Sequence, residues 1–566
     1  MKYKSILLTS ILGLGLVSAQ AQTEFYLNGY GRSIITSNSL SADQATASTV
    51  KKSVGGYALF DLTTNFKMSN TLWANTILRV KSPFGGFFGT GVQLGFRQFQ
   101  VGGRIGKFVK YEFGDINIGE GMGPYAVYNF DDMYTRFESP LLAQRRDILT
   151  YENFNTGNLW RLQGVQANAK FSIGSAVDTL KVYGFAARTN STNDGTIPDR
   201  ILSGGRLTAV LNPAFKLGGN YVGLLDVPVN TSEMVYSNHV LSGDANLNLP
   251  LGEDIIAHAG LNTGLSSYSN KNKTLDTTIS YSDFYYEGAV GATYKPVKLK
   301  LMGTLRNVGP QYSSPTAQTR RVNNTISTSL FGNINSNVVR TQSLFDRYTQ
   351  EDAYNRVILP TLQQFNPIYS NIFPYGTATP NRTGFTIGLS TDTSAKIIDA
   401  EIAFDSYKQI IGEGTVALKN YTGIKGGVSF NIGKFIASER NYIIQVGYRS
   451  ESTTRDGKAK VDLASSVIDL GASVEALKRV DILGGVKLFN AKGNDYITKY
   501  DQFNMVSEVP SVLNNVDMSE MVYSLGFKYR ISDNGSLFTV NYNRSDVKTT
   551  SKVGIDQLFI NFIAKF

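Results

Sequence analysis

The stretch LFINFIAKF, residues 558–566, sets Leu558, Ile560, Phe562, Ala564 and Phe566 on one side of an extended chain and Phe559, Asn561, Ile563 and Lys565 on the other. Alternation of period two describes a strand with one face in an apolar medium. The pattern recurs along the chain. Ala58, Phe60, Leu62, Thr64 and Phe66 oppose Asp61, Thr63, Asn65 and Lys67, and after a polar KMSNT turn Leu72, Ala74, Thr76, Leu78 and Val80 oppose Asn75, Arg79 and Lys81. Leu299, Leu301, Gly303 and Leu305 oppose Lys298, Lys300 and Arg306, while Ile398, Ala400, Ile402 and Phe404 oppose Asp399, Glu401 and Asp405. Val480, Ile482, Gly484, Val486 and Leu488 oppose Asp481 and Lys487.

The polar face separates two fold classes. A soluble sandwich meets bulk water there and carries many charges. Here that face is mostly Gly, Ser, Thr, Asn and Gln with scattered charges of both signs, as a lumen requires. The apolar faces run for about ten residues, the length a tilted strand needs to cross hydrocarbon. Beyond the N-terminal segment there is no run of about 20 apolar residues for a helical span, so a membrane location demands a closed sheet. Connections also alternate: short ones such as KMSNT, LNPA, KPV, LKR and SDNG, and long ones at 119–158, 310–381 and 492–518. The sequence therefore predicts an all-β chain, a transmembrane antiparallel up-and-down barrel of about 22 strands (range about 18–22).

The N-terminal segment MKYKSILLTSILGLGLVSAQAQ places Lys2 and Lys4 before a short apolar run, Ile6–Val17, and then the small-x-small pattern Ala19-Gln20-Ala21. This predicts a signal peptide over 1–21, cleaved before Gln22, with residues 22–566 forming one barrel domain. The chain has no Cys, so neither a disulfide framework nor a lipidated cysteine is available. The aromatic ending of an alternating last strand, carried by Leu558, Ile560, Phe562 and Phe566, resembles the signal by which bacterial outer-membrane barrels are recognised by their insertion machinery. The resemblance implies a Gram-negative outer membrane, with its lipid and that machinery as partners. As a whole the mature chain looks like a porin-like barrel. Its wall is similar in size to the plugged outer-membrane transporters, but the first strand, near residue 25, follows the cleavage site too closely for an N-terminal plug domain.

Candidate chemistry is sparse. The formal net charge is +10, of which Lys2 and Lys4 belong to the signal peptide, and this argues against a strongly cation-selective lumen. The lumen-facing charge candidates are Lys298, Lys300, Arg306, Asp399, Glu401 and Asp405, since charged rings bias ion passage. In the longest connection the segment TQSLFDRYTQEDAYNRVIL allows one or two helical turns with Phe345 and Tyr348 on one side. The aromatic density of this connection and of 119–158 predicts that both pack, either into the lumen or as an outer cap. The two histidines, His239 and His258, are far apart in sequence, and a hydrolase would need one of them beside a carboxylate such as Asp131 or Asp132. GEGMG and GTGVQLG lack the strand-to-helix context of a nucleotide loop. No enzyme, cofactor, metal or nucleic-acid role is expected. The expected function is a channel for small hydrophilic solutes, its lumen restricted by its own long loops. The alternative is a non-transporting subunit of an outer-membrane machine for protein export, barrel insertion or surface assembly, held by stable protein partners.

Overall fold

The computed structural model describes residues 24–566 apart from 44–49, 70, 85–90, 120, 128–135, 153–160, 175–176, 191–197, 228–233, 319–321, 323–327, 330–338, 341, 351–352, 355–357, 392–396 and 499–512. Ala19, Ala21 and Gln22 lie outside the described residues, as do Asp131 and Asp132. The alternating segments form strands β1 (Glu24–Ala42), β2 (Lys52–Lys67), β3 (Leu72–Pro83), β4 (Gln93–Ile105), β5 (Val109–Asn117), β6 (Arg161–Phe171), β7 (Thr179–Asn190), β8 (Asp199–Val210), β9 (Phe215–Val227), β10 (Met234–Leu251), β11 (Ile255–Asn272), β12 (Thr277–Tyr294) and β13 (Leu299–Val308). A two-residue ribbon, β14 (Thr328–Ser329) and β15 (Val339–Arg340), lies within the next connection. The wall resumes with β16 (Arg382–Thr391), β17 (Ile398–Lys408), β18 (Asn420–Asn431), β19 (Tyr442–Arg455), β20 (Val461–Leu477), β21 (Val480–Tyr496), β22 (Leu513–Arg530), β23 (Leu537–Lys548) and β24 (Lys552–Lys565).

Twenty-two strands make one sheet in which each pairs antiparallel with its neighbours in the chain. The sheet closes because β1 pairs with β24, from Tyr30 opposite Lys565 to Ala42 opposite Val553. Closure leaves no edge with unpaired backbone groups, the condition for a sheet in lipid. At the seam Gly29 and Phe566 exchange both backbone hydrogen bonds, at 2.8 and 3.1 Å. The Phe566 ring lies across Gly29, where a Cβ would come within 1.9 Å of it, and stacks on Phe60 at 5.7 Å.

Burial along each strand is the reverse of a soluble sheet. Leu301 and Leu305 are 51% and 65% exposed on the outside of β13. On β20 and β21 Leu470 and Ile482 are exposed, while Asp469 and Lys487, on the opposite faces, are fully buried. An apolar outside around a polar inside is the arrangement of a barrel in a membrane. Short turns gather at one rim, among them 106–108, 252–254 and 295–298, with Gly106 and Gly252 supplying left-handed backbone at φ 61° and 73°. The long connections leave the other rim. One differs from expectation: β21 continues through Tyr496 and β22 begins at Leu513, so strand covers both ends of 492–518. There Lys492, Asn494, Asn515 and Asp517 hold the outer face. Polar residues on the outer face, with a mixed inner face of Ala491, Gly493, Val516 and Met518, hide a strand that continues past the apolar band.

Candidate functional site: the barrel lumen

Both long connections turn inward. In the first, Tyr125 stacks on Tyr285 of β12 at 3.8 Å, and residues 140–152 form helix α1 (Pro140–Glu152). In the second, helix α2 (Leu344–Thr349) carries Phe345 and Tyr348, both buried. Leu142, Leu344, Phe345, Tyr348 and Tyr369 pack with Val467, Phe489, Val522 and Ile555, all on the lumen face of the wall. The wall makes room with glycine. A Cβ at Gly427 would sit 2.3 Å from the Phe137 ring, and one at Gly485 would sit 2.1 Å from Ser139 Oγ.

Buried charges fix these contacts. The Lys487–Asp469 pair (3.2 Å) also meets the Tyr348 hydroxyl, 3.1 Å from Lys487 Nζ, and Tyr348 donates to Glu138 at 2.8 Å. Burial raises the Glu138 pKa, against the opposing pull of Lys487 and Arg146. Glu520 of β22 accepts the first free N–H groups of α2, from Leu344 at 2.7 Å and Phe345 at 3.1 Å. A carboxylate at a helix N-terminus satisfies orphan donors and favours the helix dipole.

The six charge candidates do not come together at one place. Arg306 pairs with Glu287 at 2.8 Å, contacts the Tyr125 hydroxyl at 2.9 Å and lies 5.0 Å from the Phe373 ring. Asp399 and Glu401 both bind Arg136 of the first long connection, the latter at 3.3 Å. Asp405 accepts from Thr386 at 2.6 Å, with Lys425 at 3.8 Å. Lys300 is exposed on the lumen side of β13, whereas Lys298 precedes the strand, in the 295–298 turn at φ 54°.

Sequence reasoning missed the densest charge cluster. Arg79 forms a two-pronged pair with Asp61 (2.7 Å to each oxygen) and reaches Glu152 at 2.6 Å; Arg32 also binds Glu152. Arg97 lies 3.1 Å from Asp61 and 3.8 Å from the Tyr151 ring centre, and the Tyr151 hydroxyl donates to Asp61 at 2.5 Å. Thus the last turn of α1 is clamped by arginines from β1, β3 and β4. Burial alone would raise the Glu152 pKa; Arg32 and Arg79 more than reverse it, so it lies below the ordinary carboxylate value. Arg145, on the same helix, bonds Gln557 (2.8 Å) and lies over the Phe559 ring (3.7 Å), and burial pushes its pKa down to about 9. The signal for the cluster was there: an arginine at a lumen-facing position on each of β1, β3 and β4.

Toward the short-turn rim the lumen face changes character. Lys170, Lys181, Lys216 and Lys300 are exposed and have no acidic partner among the described residues. Lys170 and Lys181 stand directly opposite each other on β6 and β7. His258 is also lumen-facing and bonds Asn248 and Thr293, both at 2.7 Å. His239 points outward and bonds the Tyr221 hydroxyl at 2.8 Å, away from any lumen carboxylate. Among the described residues no group of His, Cys, Asp and Glu is placed to hold a metal.

No protein-family model and no curated protein matches the sequence. Solved structures similar to it include OpdL of Pseudomonas aeruginosa (8% identity over 96% of this chain and 99% of that one, TM-score 0.35). A BenF-like porin of Pseudomonas fluorescens Pf-5 gives 11% identity, 79% and 97% coverage and a TM-score of 0.36. The outer membrane protein opdK of Pseudomonas aeruginosa gives 8%, 96%, 99% and 0.34. At these identities and scores no residue of theirs is matched to one here. By its own closed wall, apolar outside and polar inside, this chain is a porin-like barrel of 22 strands.

Proposed function

We propose that the barrel is a Gram-negative outer-membrane channel for small hydrophilic solutes, with a lumen narrowed by its two long connections and an end that favours anions. The observation that carries this reading is the set of exposed lysines toward the short-turn rim, Lys170, Lys181, Lys216 and Lys300. Like charges directly opposite one another destabilise a sheet, as Lys170 and Lys181 do here. A solvated wall has no need of such a pair. A vestibule that draws in anions does, because charged rings in a water-filled pore bias which ions enter. Arg32, Arg79 and Arg97, by contrast, are engaged with Asp61 and with the last turn of α1, and so hold the connection rather than attract ions.

Planar-bilayer recording of the purified protein under a salt gradient tests this. The expected result is discrete openings with a reversal potential on the anion side. The combined Lys170→Gln, Lys181→Gln, Lys216→Gln and Lys300→Gln variant should move that potential toward zero. A barrel that inserts yet stays silent would overturn the channel and favour the subunit alternative.

A further inference from the structure

Under the inward turn at Gly121–Gly123 lies a polar cavity of about 310 Å³, bounded on the wall side by Arg206, Asp244, Asn246, Asn262 and Glu287. That is the lower end of small-molecule pockets and room for about ten waters. Its charges are already matched. Arg206 grips Asp244 with two hydrogen bonds, at 2.7 and 2.9 Å, and Glu287 Oε2 takes Arg306 at 2.8 Å and the Tyr125 hydroxyl at 2.7 Å. An anion would have to compete with Asp244 for Arg206, and a cation would meet carboxylates that each carry a guanidinium. Neither gains much.

Among the described residues, uncommitted hydrogen-bonding atoms remain. Asn262 Oδ1 accepts from Tyr285 at 2.6 Å, which leaves its amide N–H groups free. Asn246 donates to Asp244 at 3.0 Å, which leaves its carbonyl oxygen free. Glu287 Oε1 has no partner among the described residues, because its bonds run through Oε2. Two acceptors and one donor amide therefore converge on a space that also has Met122 and Ala289 as apolar lining. Mixed donors and acceptors beside an apolar strip suit a molecule with hydroxyls on one side and C–H groups on the other. Asn246 is the cross-strand partner of Lys216, so the cavity adjoins the lysine vestibule.

We propose that this cavity binds a neutral polyhydroxylated solute, a small sugar or sugar alcohol. The inference deepens the channel reading and rests on it for the solute's access. The test is saturation-transfer NMR of the full barrel in detergent with glucose and mannitol as neutral probes and gluconate and choline as charged ones. Glucose or mannitol should receive transfer at millimolar concentration, and Asn262→Ala and Asn246→Ala should each weaken it by about tenfold. Both variants should keep wild-type heat-modifiable mobility, which shows an intact barrel. No transfer to either neutral probe, equal transfer in the variants, or preference for gluconate or choline would overturn the site. A conducting barrel that binds no polyol loses the site and keeps the channel. A silent barrel that binds polyol in an Asn262-dependent way keeps the site and loses the channel.

Discussion

Glu152 shows how much can depend on one side chain. It sits between Arg32 and Arg79, and all three are largely buried. Removing one partner of a buried pair leaves uncompensated charge, at a cost of about 3–5 kcal/mol. Glu152→Gln should therefore loosen the end of α1, read as faster amide exchange over 140–152. Acid should act in the same direction. A carboxylate with a lowered folded-state pKa contributes fully above its unfolded value of ~4.3 and loses that contribution as pH falls through the folded value. Protection of α1 should thus drop on acidification below that range in the native chain and change less in Glu152→Gln. At the seam Gly29 offers a second test. Gly29→Leu must displace the Phe566 ring, whereas the nearest neighbour of a Cβ at Gly31 is 3.9 Å away. The first variant should lower the temperature at which folded gel mobility is lost, and Gly31→Leu should leave it near wild type.

At the scale of elements the wall was legible and its filling was not. Strands such as β13 and β17 announce themselves because lipid and lumen impose opposite demands on alternate residues. Nothing comparable marks α1. Its buried residues, Leu141, Leu142, Arg145 and Leu149, meet a wall that is polar and glycine-rich, so the helix has no clean apolar stripe. The available clue was Ser139 ahead of thirteen residues, Pro140 to Glu152, without Gly, the signature of a helix start. The short α2 was legible through its Gly-free run. The partner that caps it, Glu520, lies on a distant strand and was not. Lumen glycines were read as composition, although Gly471 and Gly485 are where the first connection touches the wall. Gly485→Leu should push Ser139 off the wall and raise single-channel conductance. Outward-facing Gly484, where a Cβ would have its nearest neighbour at 3.8 Å, gives the control.

For the whole molecule, arginine–carboxylate pairs hold the inward connections, while toward the short-turn rim four lysines without an acidic partner among the described residues stand beside pairs such as Lys110–Glu112 and Lys528–Asp481. The net positive charge was legible in the composition. Its placement was not, because strand pairing sets which lysines face each other. The seam has a further consequence. Every wall strand but one pair lies beside its neighbour in the chain, and that pair, β1 and β24, brings Gly29 and Phe566 into direct hydrogen bonding at the short-turn rim. Geometrically the ring has no privileged origin. A circular permutant that joins the two ends by a short linker and opens at the 252–254 turn would retain every strand pairing, while moving the aromatic ending into the middle of its sequence.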